Sequence, residues 1–189
     1  MIRAFKRVLA CALFAGLQMT QAAATPIDFE AYTDNTPLTN EVAGLTFAGG
    51  VILTAGVSLN EFDFPPRSGV NVLGALSGTL DIALDAPATG FSGYFTHLEG
   101  LTFSGYDALH NLLFSIATAT DSNLGASTLI SHSANGLAFL SITGAQGLGF
   151  TLDDLDIQSG GAVPEPGTLA LLMLGGLSAL AARRGRRNG

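Results

Sequence analysis

Tryptophan is absent from this chain of 189 residues, cysteine occurs once, and basic residues are almost missing from its middle part. The single cysteine, Cys11, has no partner in the chain, so an intramolecular disulfide is excluded. HExxH, CxxC and Walker motifs are also absent, which removes the signatures of zinc proteases, thiol redox proteins and P-loop NTPases. The folded part of the chain must therefore rely on its apolar core.

Charge is divided sharply along the sequence. Seven of the eight Lys and Arg residues lie within the first seven or the last seven positions. The middle, residues 25–162, contains only Arg67 and fourteen of the fifteen acidic residues, which gives it a net charge of −13. Such a surface repels nucleic acid, and we expect no nucleic-acid partner. The acidic charge is typical either of a highly soluble domain or of one that collects divalent cations.

The first 24 residues have the three-part pattern of a secretory signal peptide. A basic start with Arg3, Lys6 and Arg7 is followed by an apolar run over 8–19 and by small residues over 20–24. The small residues form an A-x-A site, so we predict cleavage after Ala24 by signal peptidase, following export through the secretion translocase. An uncleaved N-terminal anchor is the alternative, although the apolar run is short for a membrane span.

Residues 163–189 contain a second apolar segment with a basic end. Pro164, Glu165 and Pro166 precede fifteen mostly apolar residues, 168–182, and four arginines follow within 183–187. A helix of this length measures about 22 Å and crosses a hydrocarbon core of about 30 Å only marginally. The arginines place the C-terminus in the cytoplasm, so the middle domain is held outside the inner membrane. Both prolines favour extended backbone before the helix, where a protease can reach it.

The order of Pro-Glu-Pro motif, short apolar helix and terminal arginine cluster over 163–187 resembles the PEP-CTERM sorting signal. The resemblance implies processing by a membrane protease of the exosortase class, in a Gram-negative bacterium that makes exopolysaccharide. An ordinary tail anchor that is never cut is the alternative. The chain is therefore divided into a signal peptide, 1–24, a middle domain, 25–162, and a sorting signal, 163–189, with a transmembrane helix at 168–182.

Apolar and polar residues alternate with a period of two in the middle domain. Leu80 and Ile82, for example, alternate with Asp81 and Ala83, the pattern of a half-buried strand. Short alternating runs separated by turn residues predict an all-β fold, a two-sheet β-sandwich of jelly-roll-like type with phenylalanines between the sheets. The predicted strands lie near 26–31, 43–48, 51–55, 70–73, 78–84, 89–96, 101–106, 111–119, 128–133, 137–143 and 149–157, with one of them in excess.

Two short stretches also resemble the first and last strands of jelly-roll domains found in PEP-CTERM proteins and in carbohydrate-binding modules. They are the run 27–30, which ends at Glu30, and the run 149–157, which contains Asp153 and Asp154. In such modules these strands lie side by side and a calcium ion often bridges them. The resemblance implies that Glu30 and Asp153 or Asp154 are ligands of a structural calcium ion. The alternative is a pair of solvated, acidic strand ends.

These features predict an exported protein at the cell surface or in the extracellular matrix, with a structural or adhesive role in exopolysaccharide or biofilm. The first alternative is a module that recognises exopolysaccharide, although sugar sites usually contain tryptophan. The second, an envelope-polymer hydrolase, is disfavoured because no serine lies in a recognisable nucleophile elbow that a histidine could serve, and we predict no catalytic residue. Candidate sugar-contacting residues are Tyr32, Tyr94, Tyr106 and Arg67, and the histidines are His97, His110 and His132.

The division of the chain predicts the mass of the mature protein. Intact-mass spectrometry of the form released from the producing cell should show a start at Thr25 and the loss of segment 168–187. A protein recovered with both terminal segments intact would contradict the predicted export and sorting.

Overall fold

The computed structural model describes residues 25–159. The predicted cleavage site at Ala24 and the predicted sorting motif at Pro164, Glu165 and Pro166 lie outside the described residues, as does the predicted helix 168–182. In the described part of the chain, no helix has the length and apolar character needed to span a membrane.

Strands make up the regular structure of residues 25–159, together with one short 3-10 turn at Ala145–Gly147. Two of the strands, the fifth and the eighth, are far longer than the others, and the first has only two residues. The strands are β1 (Pro37–Leu38), β2 (Leu45–Ala48), β3 (Gly50–Thr54), β4 (Asn71–Ala75), β5 (Thr79–His97), β6 (Leu101–Tyr106), β7 (Leu112–Ala117), β8 (Thr128–Gly144) and β9 (Phe150–Ser159).

The strands form two layers, and all paired strands are antiparallel. The front layer contains β2, the first part of β5, the second part of β8, β6 and β7. The back layer contains β1, β3, β4, β9, the second part of β5 and the first part of β8. Hydrogen bonding is continuous between the layers because β5 and β8 each run through both of them.

The two long strands turn the corner between the layers at irregular positions. Their mutual register shifts between Ala83 and Ala88 and again before Gly90, the signature of β-bulges, which bend a strand. Pro87 lies in the exposed part of this stretch, where a missing backbone N–H removes no ladder bond. On β8, Gly136 lies at the same corner with φ of +83°, a conformation that glycine adopts without steric cost.

Phenylalanine side chains fill the space between the layers. Phe91 and Phe95 of the back layer pack on Phe103 of the front layer, with ring centroids 5.5 and 5.1 Å apart. The first pair is stacked and the second is edge-on, both favourable arrangements of aromatic rings. The core continues through Phe29 and Phe150, which are also fully buried.

The predicted all-β sandwich of jelly-roll-like type is confirmed, with several differences in detail, among them the short β1, which was not predicted. The runs 78–84 and 89–96 are parts of one strand, as are 128–133 and 137–143, because the corners keep the backbone extended. The predicted strand at 26–31 is reduced to one bridge between Ile27 and Leu155. Phe29 has a left-handed backbone, with φ of +61°, and this conformation ends the extended segment.

Phe103 is the ring on which both layers depend. Replacement of Phe103 by alanine removes a fully buried side chain and should lower the free energy of unfolding by about 3 to 5 kcal/mol. Phe62→Ala is the matched control, because 83% of that side chain is exposed and its loss should change stability by less than about 0.5 kcal/mol. Denaturant unfolding measures both values, and equal effects would contradict the described core.

Candidate functional site

A groove with a volume of about 360 Å³ lies on the outer face of the front layer. Four strands that are distant in sequence contribute to it: β2, β5, β8 and the end of β6, together with the turn that follows β6. Its lining combines apolar and aromatic surface with hydroxyl groups and one carboxylate. The outward-facing residues among them are Thr46, Ala48, Asp81, Ala83, Tyr106, His110, Phe139 and Ser141.

Strand register brings the groove residues together. Ala83 of β5 is opposite Phe139 of β8, and Phe139 is opposite Tyr106 of β6, so these side chains form one row across the sheet. Asp81 and Ser141 are opposite each other in the next row, and the Ser141 hydroxyl donates a hydrogen bond of 2.5 Å to Oδ1 of Asp81. Because side chains alternate between faces, this whole set points away from the core.

His110 forms one wall of the groove. It lies in the turn between β6 and β7 with φ of +61°, and its ring stacks on Phe139 with centroids 4.2 Å apart. The Asp107 carboxylate holds the turn by accepting bonds from the backbone N–H groups of Leu109 and Asn111, at 2.8 and 2.9 Å, and from the Asn111 amide. Hydrogen bonds from Asn111 hold the pKa of Asp107 below its ordinary value.

Gly105 allows the Phe114 ring of β7 to pack closely on the inner face of β6. A Cβ atom at Gly105 would lie 2.1 Å from that ring, so a larger residue would displace the ring. The register of β6 with β7 shifts between Gly105 and Tyr106, which is a bulge at the end of the strand. An aromatic floor with a few polar groups suits a polar ligand that has apolar faces.

The three predicted calcium ligands come together around a different feature, the loop that leads from Pro65 into β4. Two N–H groups, of Arg67 and Ser68, donate to Oδ2 of Asp153 at 2.7 and 2.9 Å. Oε1 of Glu30 accepts bonds from the N–H groups of Val70 and Asn71, at 2.8 and 2.7 Å. The Ser68 hydroxyl donates to Oδ1 of Asp154 at 2.8 Å. We call Glu30, Asp153 and Asp154 the carboxylate clamp.

Backbone N–H groups of the chain already occupy much of the carboxylate clamp. Both oxygens of Asp153 already accept backbone N–H groups, since Oδ1 takes that of Asp154 at 2.7 Å. Calcium requires six to eight oxygen ligands. Within residues 25–159 no group of three or more His, Asp or Glu side chains is arranged to hold a metal ion. The calcium site stays a prediction from sequence.

Asp153 is the most deeply buried carboxylate of the clamp, with 2% of its surface exposed. Burial raises the pKa of Asp153 to about 6, because the charged form loses hydration; the N–H groups of Ser68, Asp154 and Arg67 oppose that rise. The folded protein therefore binds this proton more tightly than the unfolded chain does.

The other residues singled out from sequence lie in different places. Of the tyrosines, only Tyr106 lines the groove; Tyr32 packs on the core, and Tyr94 carries the Arg67 guanidinium 4.6 Å above its ring.

The other histidines lie away from the groove. Burial lowers the pKa of His97, whose side chain is almost completely enclosed, and His132 packs on Phe114. The sequence analysis assigned no role to Asp81, Phe139 or Ser141, because their meeting depends on strand register.

Comparison with known protein families identifies one segment of the chain. Residues 162–187 match the PEP-CTERM protein-sorting motif, which confirms the sorting signal recognised from sequence. The chain therefore carries the signal of an exported protein that is anchored and sorted through its C-terminus. No curated protein matches the sequence.

Solved structures similar to this chain include carbohydrate-binding modules and an adhesin domain. TmCBM61 in complex with β-1,4-galactotriose has a TM-score of 0.43 at 12% identity, over 70% of this chain and 97% of that one. The K3 cleaved adhesin domain of Lys-gingipain from Porphyromonas gingivalis has a TM-score of 0.46 at 12% identity, over 73% of this chain and 100% of that one. The module CBM6cm-2 of Cellvibrio mixtus lichenase 5A, with cellotriose, has a TM-score of 0.38 at 14% identity, over 67% and 98% of the chains. None of these similarities assigns a ligand to the present chain.

Replacement of Asp153 by asparagine should destabilise the protein, with a characteristic dependence on pH. Near pH 4, where Asp153 of the folded protein is protonated, the free energy of unfolding should fall by about 1 to 3 kcal/mol, because the asparagine amide replaces one accepting oxygen by an N–H2 donor that faces backbone N–H groups. The native residue stabilises the fold most below its ordinary pKa, and this contribution is lost as the pH rises through about 6. The difference between native and variant protein should therefore shrink between pH 4 and pH 7, as measured by denaturant unfolding across that range.

Asp156→Asn is the matched control on the same strand, because the Asp156 carboxylate accepts no hydrogen bond within residues 25–159. It should change stability little and without the slope between pH 4 and 7. A melting temperature of the native protein that rises with calcium and falls with a chelator would instead support the calcium prediction.

Proposed function

We propose that this is a cell-surface or extracellular-matrix protein with an adhesive role, in which the sandwich binds a polysaccharide of the surrounding exopolysaccharide or biofilm. In this proposal exosortase cleaves the chain at its Pro-Glu-Pro motif and releases the sandwich from its transient anchor. The sorting motif at 162–187 supports delivery to the outside of the cell. The groove on the front layer supports binding rather than a purely structural role.

The observation that carries the saccharide proposal is the row of side chains across the groove floor. Tyr106 and Phe139 offer ring surface to the apolar C–H faces of a sugar, although tryptophan is absent. Beside them, the Ser141 hydroxyl and the Asp81 carboxylate can exchange hydrogen bonds with sugar hydroxyl groups. The strands on either side hold these groups in register, so little ordering is required when a ligand binds.

A groove on rigid strands also fits retention on a polymer better than turnover of it. His110, the histidine in the lining, stacks on Phe139 instead of pairing with a nucleophile. Hydrolysis of a glycoside by the usual route requires two opposed carboxyl groups, and the lining contains one, Asp81. We therefore place binding ahead of the envelope-polymer hydrolase.

Loss of the Tyr106 ring should weaken binding to the exopolysaccharide of the producing bacterium. Affinity electrophoresis of the full-length protein in detergent should show retardation by the polymer, and Tyr106→Ala should reduce the affinity roughly tenfold, the equivalent of about 1.4 kcal/mol. Tyr94→Ala is the matched control, because that ring lies in the back layer under Arg67. A native protein that is not retarded, or equal effects of the two variants, would contradict the proposed groove.

A further inference from the structure

The lining of the groove contains one carboxylate, Asp81, one histidine, His110, and neither lysine nor arginine. Oδ1 of Asp81 accepts the Ser141 hydroxyl, whereas Oδ2 takes part in no hydrogen bond within residues 25–159. The side chain is exposed, so that oxygen is open to a ligand that enters the groove.

No lysine or arginine of the described chain lines the groove beside Asp81. Arg67 is the only lysine or arginine in the domain, and it stacks on Tyr94, which belongs to the back layer. Residues 25–162 carry a net charge of −13, so the field around the groove attracts cations and repels anions. A saccharide rich in carboxylate or sulfate groups would therefore be repelled both by this field and by the Asp81 carboxylate.

The spacing within the groove suits a single sugar unit with a charged substituent. Phe139 is directly opposite Ala83, and Asp81 is two residues from Ala83 on the same strand. Asp81 and Phe139 are therefore diagonal neighbours, which are separated by about 7 Å on adjacent antiparallel strands. A pyranose ring that rests on Phe139 and Tyr106 can thus bring a ring substituent to the Asp81 carboxylate.

We propose that the groove selects saccharide units with a free, protonated amino group, that is, amino-hexoses without an N-acetyl group. The ammonium ion donates to Oδ2 of Asp81 while the sugar ring stays on the aromatic floor. The inference rests on the proposed function, since it names the class of saccharide that the same groove takes. It excludes uronic acids as preferred ligands, because their carboxylates face Asp81.

The test compares three oligosaccharide probes on the full-length protein in detergent: a glucosamine oligomer, its N-acetylated counterpart, and an oligomer of glucuronic acid. Isothermal titration calorimetry at pH 6 should give at least roughly tenfold tighter binding of the glucosamine oligomer than of the acetylated one, a difference of about 1.4 kcal/mol. The glucuronic acid oligomer should bind most weakly. Equal affinities for the first two probes would overturn the proposal.

Asp81→Asn separates a specific ion pair from general attraction between unlike charges. This variant should bind the glucosamine oligomer and its N-acetylated counterpart with similar affinity, because asparagine keeps hydrogen bonding without the charge. Asp156→Asn makes the same change of net charge on β9 in the back layer and should keep the native preference. If both variants lose the preference equally, the attraction is nonspecific and the proposal fails.

A measurement on the native protein alone covers the case in which Asp81→Asn does not fold. In 1 M NaCl the Debye length falls to about 3 Å, so the preference for the glucosamine oligomer should shrink while binding of the acetylated oligomer persists. A preference unchanged by salt would count against the ion pair. If both oligomers bound equally well, and if their binding depended on Tyr106 but not on Asp81, the proposed saccharide function would hold and the amino-sugar inference would be wrong.

Discussion

The pairing of β5 with β8 is the constraint on which the rest of the structure depends. These two strands pass together from the front layer into the back layer, and every other layer element joins one of their edges directly or through a neighbour. A slip of one residue in this ladder would turn Asp81 and Phe139 inward and the core residues outward. The aromatic core opposes such a slip, because Phe91 and Phe95 can meet Phe103 in only one register.

A second constraint closes the sandwich without disulfides. The carboxylate clamp connects the beginning of the described chain, through Glu30, and its last strand, through Asp153, to the loop before β4. Gly69 shows how closely the parts approach, since a Cβ atom there would lie 2.2 Å from the Glu30 carboxyl carbon. Backbone N–H groups in such a loop need acceptors, and a buried carboxylate needs donors, so each satisfies the other. The acidic residues near the chain ends are thus structural groups and not merely surface charge.

The alternation of apolar and polar residues predicted most strands, because most strands bury one face in the core and expose the other. It failed at 26–31, where Phe29 leaves the extended conformation so that Glu30 can reach the loop, a demand that comes from residues about 40 positions away. Glu30, Asp153 and Asp154 could be grouped because the resemblance to jelly-roll domains implies that the first and last strands of the domain lie side by side. The groove could not, because it depends on register among four strands and on the left-handed backbone of His110. Neither leaves a local signal in the sequence.

The two outer faces of the sandwich differ in charge, and that difference narrows what each can bind. The back layer carries Arg67, whose guanidinium lies above Tyr94 and whose loop is held by three carboxylates. The front layer carries Asp81 in a groove whose other polar side chains are hydroxyls and the imidazole of His110. An uncompensated charge on a rigid surface is costly only while it is unpaired or poorly hydrated, and exposure keeps Asp81 hydrated in the free protein. A ligand that displaces this water must give the Asp81 carboxylate hydrogen bonds in return. A sugar hydroxyl does so in part, whereas an ammonium group adds a full opposite charge.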